Sequence, residues 1–351
     1  MNTQGLILID VDAAALNNAG KNTTSNFDNA VKTKTIYKNG NCYVYVSGQA
    51  WRNWWRTSLQ RNLGWKLSPT KREDKIAFTN ANPIQYPDDD VFGYMRAASE
   101  IKKEKGKEKK ENITVTRVSP LKNSVLVSAS AVRPVENWSS MARQEGDSVP
   151  YAKQEYSAVM KGMFSLDLDM VGTFSNYNKT GFKNLSNELR DEALKVEGAK
   201  EIPDPYIENQ MLIRLPNEIR KQRVTDTIKA LKNISGGAMQ TNNMADVTPK
   251  FIILATTKTG NHPFSHVVKS KGDKEESVVL NITGLKEIIE DYKDDFVGNI
   301  YIGKRSGFFD DDNAELEKLE EENEIVCYGP VNQIIDAYIK ELEEQLEKQM
   351  E

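Results

Sequence analysis

The stretch KFIILATT, from Lys250 to Thr257, is an apolar and partly β-branched run of strand length. It has no helical period and reads as the plainest buried strand in the chain. Working outward, GLILIDV from Gly5 to Val11 reads as a buried first strand, and CYVYVS from Cys42 to Ser47 as a second. SVLVSASAV from Ser124 to Val132 and the segment from Tyr156 to Phe174 are also strand-like, the latter alternating over FSLDLDMV. Two helices interrupt them. Ser47 caps one that runs from about Gln49 to Leu63 and stops at Gly64; Pro216 opens another that runs from about Asn217 to Ile234 and stops at Gly236-Gly237. The order strand, helix, strand pair, helix, strand is the split βαβ arrangement, an α+β fold in which an antiparallel sheet packs on helices.

The remaining segments interrupt this frame. Residues 12–29 are polar and read as a loop; residues 66–116 have poor periodicity and contain the charge run KKEKGKEKK, from Lys102 to Lys110. A polar loop separates the two later strand candidates, and Ser175 to Leu215 reads as irregular. Segments from Leu285 to Val297 and from Val331 to Met350 read as C-terminal helices, the last amphipathic through Ile334, Ile335, Tyr338, Ile339, Leu342 and Leu346.

Composition narrows the function classes. With 351 residues, 38% of them hydrophobic, the chain is long enough for a sizeable core, which excludes a wholly disordered protein. No apolar run approaches the roughly 18 residues of a membrane span, and no export signal is legible, so the expected location is the cytoplasm with no membrane partner. The two cysteines, Cys42 and Cys327, fit a reducing compartment, and with His262 and His266 they offer few soft ligands for zinc. The formal net charge of −4 conceals a segregation. Between Asn29 and Arg72 there are nine Lys or Arg and no acid, whereas from Glu287 onward 20 acids face 6 bases, an acidic tail on a basic body.

Several groups of side chains are candidates for chemistry. Arg52 and Arg56 lie one helical turn apart beside Gln49 and Asn53, a spacing suited to successive phosphates; Trp51, Trp55 and Leu59 share a core-facing stripe. SGGAMQ, from Ser235 to Gln240, has two glycines that would let backbone amides approach a phosphate, without the spacing of a Walker loop; the pair equally reads as a helix stop. Asp167 and Asp169 alternate on one strand and would either hold a divalent ion or form a solvent face. His262 and His266 are separated by Pro263, which argues against a helical metal pair, and no nucleophile elbow is present. No metal site, cofactor or catalytic set is expected.

SGQAWRNWWR (Ser47 to Arg56), DVFGYM (Asp90 to Met95), ALKNISGGAMQ (Ala230 to Gln240) and TPKFIILATTKTGNHPF (Thr248 to Phe264), in that order, resemble the backbone subunit of type I CRISPR surveillance complexes (Cascade). The resemblance is to the DevR-type branch of the RAMP superfamily and spans about residues 5 to 265. It implies a ferredoxin-like, RRM-like palm with inserted finger and thumb regions. The palm would comprise residues 1–65, 157–173 and 216–351, the finger residues 66–156 and the thumb residues 174–215. It further implies a non-catalytic protein that coats the spacer of a CRISPR RNA, copy after copy, and displays it for pairing with target DNA beside other Cascade subunits.

By the same resemblance the phosphate-contacting helix maps onto Ser47, Gln49, Arg52, Asn53 and Arg56, and the glycine loop onto Gly236, Gly237, Ala238 and Met239. The loop after the first strand contributes Asn17, with Lys32 and Lys34. Phe174, Tyr177 and Phe182 are candidates for the thumb residue that wedges between bases. Two other readings stay open. One is a metal-dependent RNA-cleaving backbone subunit, as in type III complexes, using a carboxylate such as Asp28 or Asp167; the other is a generic single-stranded RNA binder.

Overall fold

The computed structural model describes residues 1–73, 76–97, 99–104, 107–112, 114–141, 145–178, 183–272 and 277–348. Its main sheet contains β1 (Asn2–Ala14), β2 (Asn41–Val46), β3 (Leu126–Ser128), β4 (Val149–Asp167), β5 (Phe251–Thr257), β6 (Phe296–Lys304) and β7 (Val326–Pro330). Their spatial order is β7-β6-β5-β1-β4-β3-β2, with Thr35–Lys38 continuing the sheet beyond β2. The inner four are mutually antiparallel, with Leu6 of β1 opposite Met163 of β4 on one side and Ile253 of β5 on the other. Helix α1 (Gly48–Leu63) lies between β1 and β3 in the chain, and α3 (Asn217–Lys229) between β4 and β5. This is the ferredoxin-like palm that the element order predicts.

Burial on both faces explains why β1 and β5 are continuously apolar. Ile7, Ile9 and Val11 join one core with Trp51, Trp55, Leu59, Val224 and Ile228 from the helices, while Leu6, Leu8, Phe251 and Ile253 join a second core beneath Leu285, Leu316 and Leu319. Each such large side chain contributes roughly 1.5–3 kcal/mol when fully buried. Ser47 Oγ accepts from Ala50 N at 3.3 Å to cap α1, and Gly64 ends it in the left-handed region at φ 71°.

Several expectations need correction. The expected loop at 12–29 contains the end of β1 and a strand at Asn18–Lys21, which pairs with Ala30–Thr33. Of the expected strand at 124–132 only β3, Leu126–Ser128, is a strand, with a separate strand at Leu121–Asn123 just before it. β4 begins at Val149, where it pairs with Val135–Met141, and stops at Asp167 before a turn. Residues 175–215 are not irregular: Thr173–Ser175, Met211–Arg214 and Lys200–Pro203 form a three-stranded sheet, with helix Asn187–Leu194 alongside. The acidic C-terminal part is no tail. β6 and β7 extend the palm sheet, and α4 (Val331–Lys348) buries Ile334, Ile335, Tyr338, Leu342 and Leu346 in the first core. The helix expected at 285–297 occupies Ile282–Asp291 instead, because Phe296 already belongs to β6. The charge run from Lys102 to Lys110 falls in two paired strands, Ser99–Glu104 and Lys107–Asn112, except for residues 105 and 106, which lie outside the described residues.

A buried ionic joint ties the segments around residues 90 and 117 to α3 and to the turn after β4. Asp90, on the short helix α2 (Pro87–Phe92), pairs through Oδ1 with Arg117; its Oδ2 accepts from Arg223 Nη1 at 2.6 Å and from Gly172 N at 2.9 Å. Arg117 also donates to the carbonyls of Asp90, Met170 and Thr173, and Arg220 to those of Leu168 and Val171. Buried charges persist only when paired and hydrogen-bonded, and here every partner is supplied. Burial pulls the Arg220 guanidinium down to about 10, where it is still cationic at neutral pH.

Candidate functional site

Three of the segments singled out by sequence converge at the N-terminal end of α1. Ser47 N donates to Asn17 Oδ1 at 3.0 Å, and Ala238 N donates to Leu16 O at 2.9 Å, so the loop after β1 holds both the helix start and the glycine loop. Ser235 N donates to Ser58 Oγ at 3.2 Å and docks that loop on α1. Gly236 lies against the indole of Trp54, where an added Cβ would stand 2.2 Å from Cγ, and Gly237 has φ +106°. Both positions therefore require glycine for a physical reason, one for space and one for conformation. Met239 follows in the left-handed region, half-buried.

Lys34 N donates to Asn17 O at 3.1 Å, which joins the strand region of Lys32 and Lys34 to the same loop. Lys32 is exposed; Lys34 is half-buried, with Nζ 6.0 Å from the centre of the Tyr45 ring. The N-terminus of α1, with no acid in its first turn, adds a positive helix end to this ridge.

The second face of α1 borders a cleft of about 320 Å³ against α2, lined by Gln49, Arg52, Asn53, Arg56, Asp88, Asp89 and Phe92 among others. The two arginines are less available than their spacing suggests. Arg52 spends Nη1 on Leu121 O and Asn123 Oδ1, at 2.7 and 2.9 Å, and Nη2 on Phe92 O and Ser119 Oγ, both at 2.8 Å. It clamps α1 to the strand and helix beyond it, and burial, helped by Arg56, pulls its guanidinium down to about 10. Arg56 gives Nη2 and Nε to Asp88 Oδ2 at 2.6 and 3.2 Å. Gln49 and Asn53 are exposed at the mouth.

The wedge candidates separate clearly. Phe174 is fully buried, with the Arg117 guanidinium 4.4 Å from its ring centre; it builds the core of the small sheet with Leu185 and Ile213 and offers no face to a base. Tyr177 is half-buried and donates its hydroxyl to Asp204, while Phe182 lies outside the described residues.

The carboxylates proposed for a metal do not converge. Asp167 Oδ1 accepts from Asp169 N and Met170 N, both at 3.1 Å, and so caps the turn after β4; Asp169 pairs with the N-terminal ammonium of Met1. Asp28 is exposed in a separate loop. Among the described residues no group of three metal-ligating side chains is assembled.

Sequence reasoning missed three features of this region: Trp54 as the floor under Gly236, Asn123 as a brace that donates to Gly48 O at 3.2 Å, and the acidic lining from α2. The signal for the last was present as Asp88-Asp89-Asp90, but no local pattern says which strand or helix those acids meet.

A family model described as CRISPR-associated negative auto-regulator DevR/Csa2 matches residues 7–278. No curated protein sequence matches the chain. Among solved structures, a chain of a CRISPR RNA-guided surveillance complex superposes with a TM-score of 0.52 at 10% identity, covering 97% of this chain and 100% of that one. A chain of a CRISPR RNA-guided surveillance complex in a pre-nicking state gives 0.55 at 10% identity, with 97% and 99% covered. At that identity the likeness is one of fold.

Proposed function

Because the chain belongs to the CRISPR-associated DevR/Csa2 family, we propose that it coats the spacer of a CRISPR RNA as repeated copies. In this role it forms the backbone of a type I Cascade surveillance complex in the cytoplasm, together with other subunits, and displays the guide for pairing with target DNA. The palm, finger and thumb would divide as residues 1–65, 157–173 and 216–351; 66–156; and 174–215. The observation that carries this reading is the convergence of Asn17, Ser47 and the loop Gly236–Met239 on one ridge, reached from three distant parts of the chain. Backbone amides, a positive helix end and the nearby Lys32 and Lys34 make that ridge suited to a phosphodiester strand. Contacts of that kind position RNA without reading its sequence, which leaves recognition to base pairing.

In this reading the protein does no chemistry of its own. The competing reading, metal-dependent RNA cleavage, would require Asp28 or Asp167 to act; Asp167 is engaged in capping a turn. A test of Mg²⁺-dependent cleavage of RNA paired to the bound guide separates the two, since cleavage that is lost in Asp28→Ala or Asp167→Ala would overturn the scaffold role.

The experiment that tests the main reading is to recover a tagged copy from its native cells and sequence the RNA that accompanies it. Repeat-flanked spacers of uniform length, with further subunits, are expected. Heterogeneous cellular RNA bound equally well would instead identify a generic single-strand binder.

A further inference from the structure

We propose that the open half of the palm sheet, from β4 across β3 and β2 to the strand Thr35–Lys38, is a stacking platform for the single-stranded RNA that leaves the ridge. The inference rests on the RNA-coating reading and deepens it: the backbone follows the Ser47 and glycine-loop ridge, crosses the sheet edge at Lys34, and the next bases lie on Tyr43 and Tyr45.

The platform follows from strand register. Tyr43 and Tyr45 alternate with Val44 and Val46, which belong to the first core, so both rings stand on the opposite face of the sheet. Tyr45 N donates to Lys34 O at 3.1 Å; Tyr45 pairs with Val127 of β3, Val127 with Lys161 of β4, and Lys161 with Leu8 of β1. Residues paired across neighbouring strands share a face, so one row of side chains runs from Lys34 through Tyr45, Val127 and Lys161 to Leu8. Leu8 lies in the second core. Outward from it the row is only half-buried, and Ile36, opposite Tyr43, is 42% exposed.

The open half of this face is cationic. Lys34, Lys38 and Lys161 border it, and no acid occurs between Asn29 and Arg72. Burial lowers the Lys161 ammonium from its ordinary value, and the charge that adds to this is another cation, Lys38. Lys161 Nζ donates to Ser265 O at 2.8 Å and keeps two further donors. Lys34 Nζ, at 6.0 Å from the Tyr45 ring centre, stands at the outer limit of a cation–π contact and remains available for a phosphate. Asp10, farther along β1, faces Asp12 and Lys250.

Cations set among tyrosine rings fit a polyanion that carries flat aromatic groups, and single-stranded RNA is such a polymer. Continuity with the ridge selects which strand. Lys34 N donates to Asn17 O at 3.1 Å while its side chain stands on the platform face, and β2 runs directly into Ser47. Stacking accepts every base, so the platform holds RNA without reading it and leaves recognition to pairing by the bases on the ridge.

The test uses the full chain and a single-stranded RNA of about twelve nucleotides, within the span such surfaces cover, carrying 5-bromouridine. Irradiation is expected to cross-link it to Tyr43 or Tyr45, located by mass spectrometry, as well as to the ridge. Tyr43→Leu with Tyr45→Leu is expected to weaken binding about tenfold or more, the factor that lost stacking supplies. The salt slope should stay unchanged in that pair, because stacking releases no counterions, whereas Lys38→Gln at its exposed position should reduce the slope by about 0.7. Phenylalanine at both positions keeps the rings and should restore wild-type affinity. Should the leucine pair fail to fold, the cross-link on wild type decides. Cross-links confined to the ridge, with the leucine pair binding RNA as wild type does, overturn the platform and leave the coating role standing. The same confinement with a change in self-association without RNA overturns the platform and assigns the face to a second copy. A chain that takes up no RNA overturns both the platform and the coating role.

Discussion

Asp89 and Asp90 are neighbours on α2, both buried, and their surroundings differ in kind. Asp90 faces inward, where Arg117, Arg223 and Gly172 N fill both of its oxygens. Asp89 is held by neutral donors, with Asn82 N on one oxygen and the Thr79 and Ser68 hydroxyls beside the carboxyl group. One residue along a helix thus separates an ionic joint from a carboxyl group held by neutral donors. The difference shows that burial beside neutral donors is enough to raise the Asp89 carboxyl from its ordinary value.

The largest expected effect comes from breaking the joint. Asp90→Ala leaves Arg117, whose side chain has no exposure, and Arg223 without their counter-charge, and removal of one member of a buried pair typically destabilises by about 3–5 kcal/mol. Urea unfolding of the full chain should show that loss as a lower midpoint. A midpoint equal to wild type would mean that the joint adds nothing to stability, and the contrast between the two aspartates would collapse.

Next in size is the ridge. Gly236→Ala places a methyl group within 2.2 Å of Trp54, a ring packed into α1 and the core, so the loop must move. Overpacking of this kind is expected to lower stability by about 1–3 kcal/mol. RNA affinity should fall further than stability predicts, because the backbone at Gly237 shifts with the loop and Ala238 N is pulled from Leu16 O. Filter binding beside a thermal melt reads both; RNA binding that tracks stability alone would remove the ridge from the site. Ser47→Ala is milder. It deletes the cap on Ala50 N and should destabilise by about 1 kcal/mol.

These two regions also differ in how far they could be read from the sequence. The core sheet and helix were legible because their buried surfaces show in the sequence: KFIILATT and GLILIDV as continuous apolar runs, and Trp51, Trp55 and Leu59 as a stripe at helical spacing. The ridge was partly legible, since Ser47 and the glycine pair have local signatures as caps and turns. The joint was not legible. Asp90, Arg117 and Arg223 are widely spaced along the chain, and Arg52 bonds chiefly to carbonyls, groups that every residue carries and no pattern marks. The small sheet around Phe174 escaped for another reason: its strands are three or four residues long, too short to show a period, so a fully buried ring passed for an exposed wedge. In the acidic C-terminal part the apolar stripe of α4 was legible, but the strands β6 and β7 were not. α4 has a charged outer face and an inner face of Ile335, Tyr338 and Leu342, and net charge reports only the first.

The smallest expected effect is also the most direct comparison of the two aspartates. Burial raises the carboxyl of Asp89 from its ordinary value of 3.8, so over the window from about that pH upward the folded protein holds more protons at this site than the unfolded chain. Stability from this group therefore falls as pH rises through the window. Asp89→Asn cannot ionise and removes that slope, so wild type and variant should be closest in relative stability at the acid end of the window, with the variant gaining relative to wild type as pH rises. Urea midpoints taken across the window measure this directly. A flat difference between the two proteins across the window would show that burial does not raise the Asp89 carboxyl, and the contrast between the two aspartates would then rest on geometry alone.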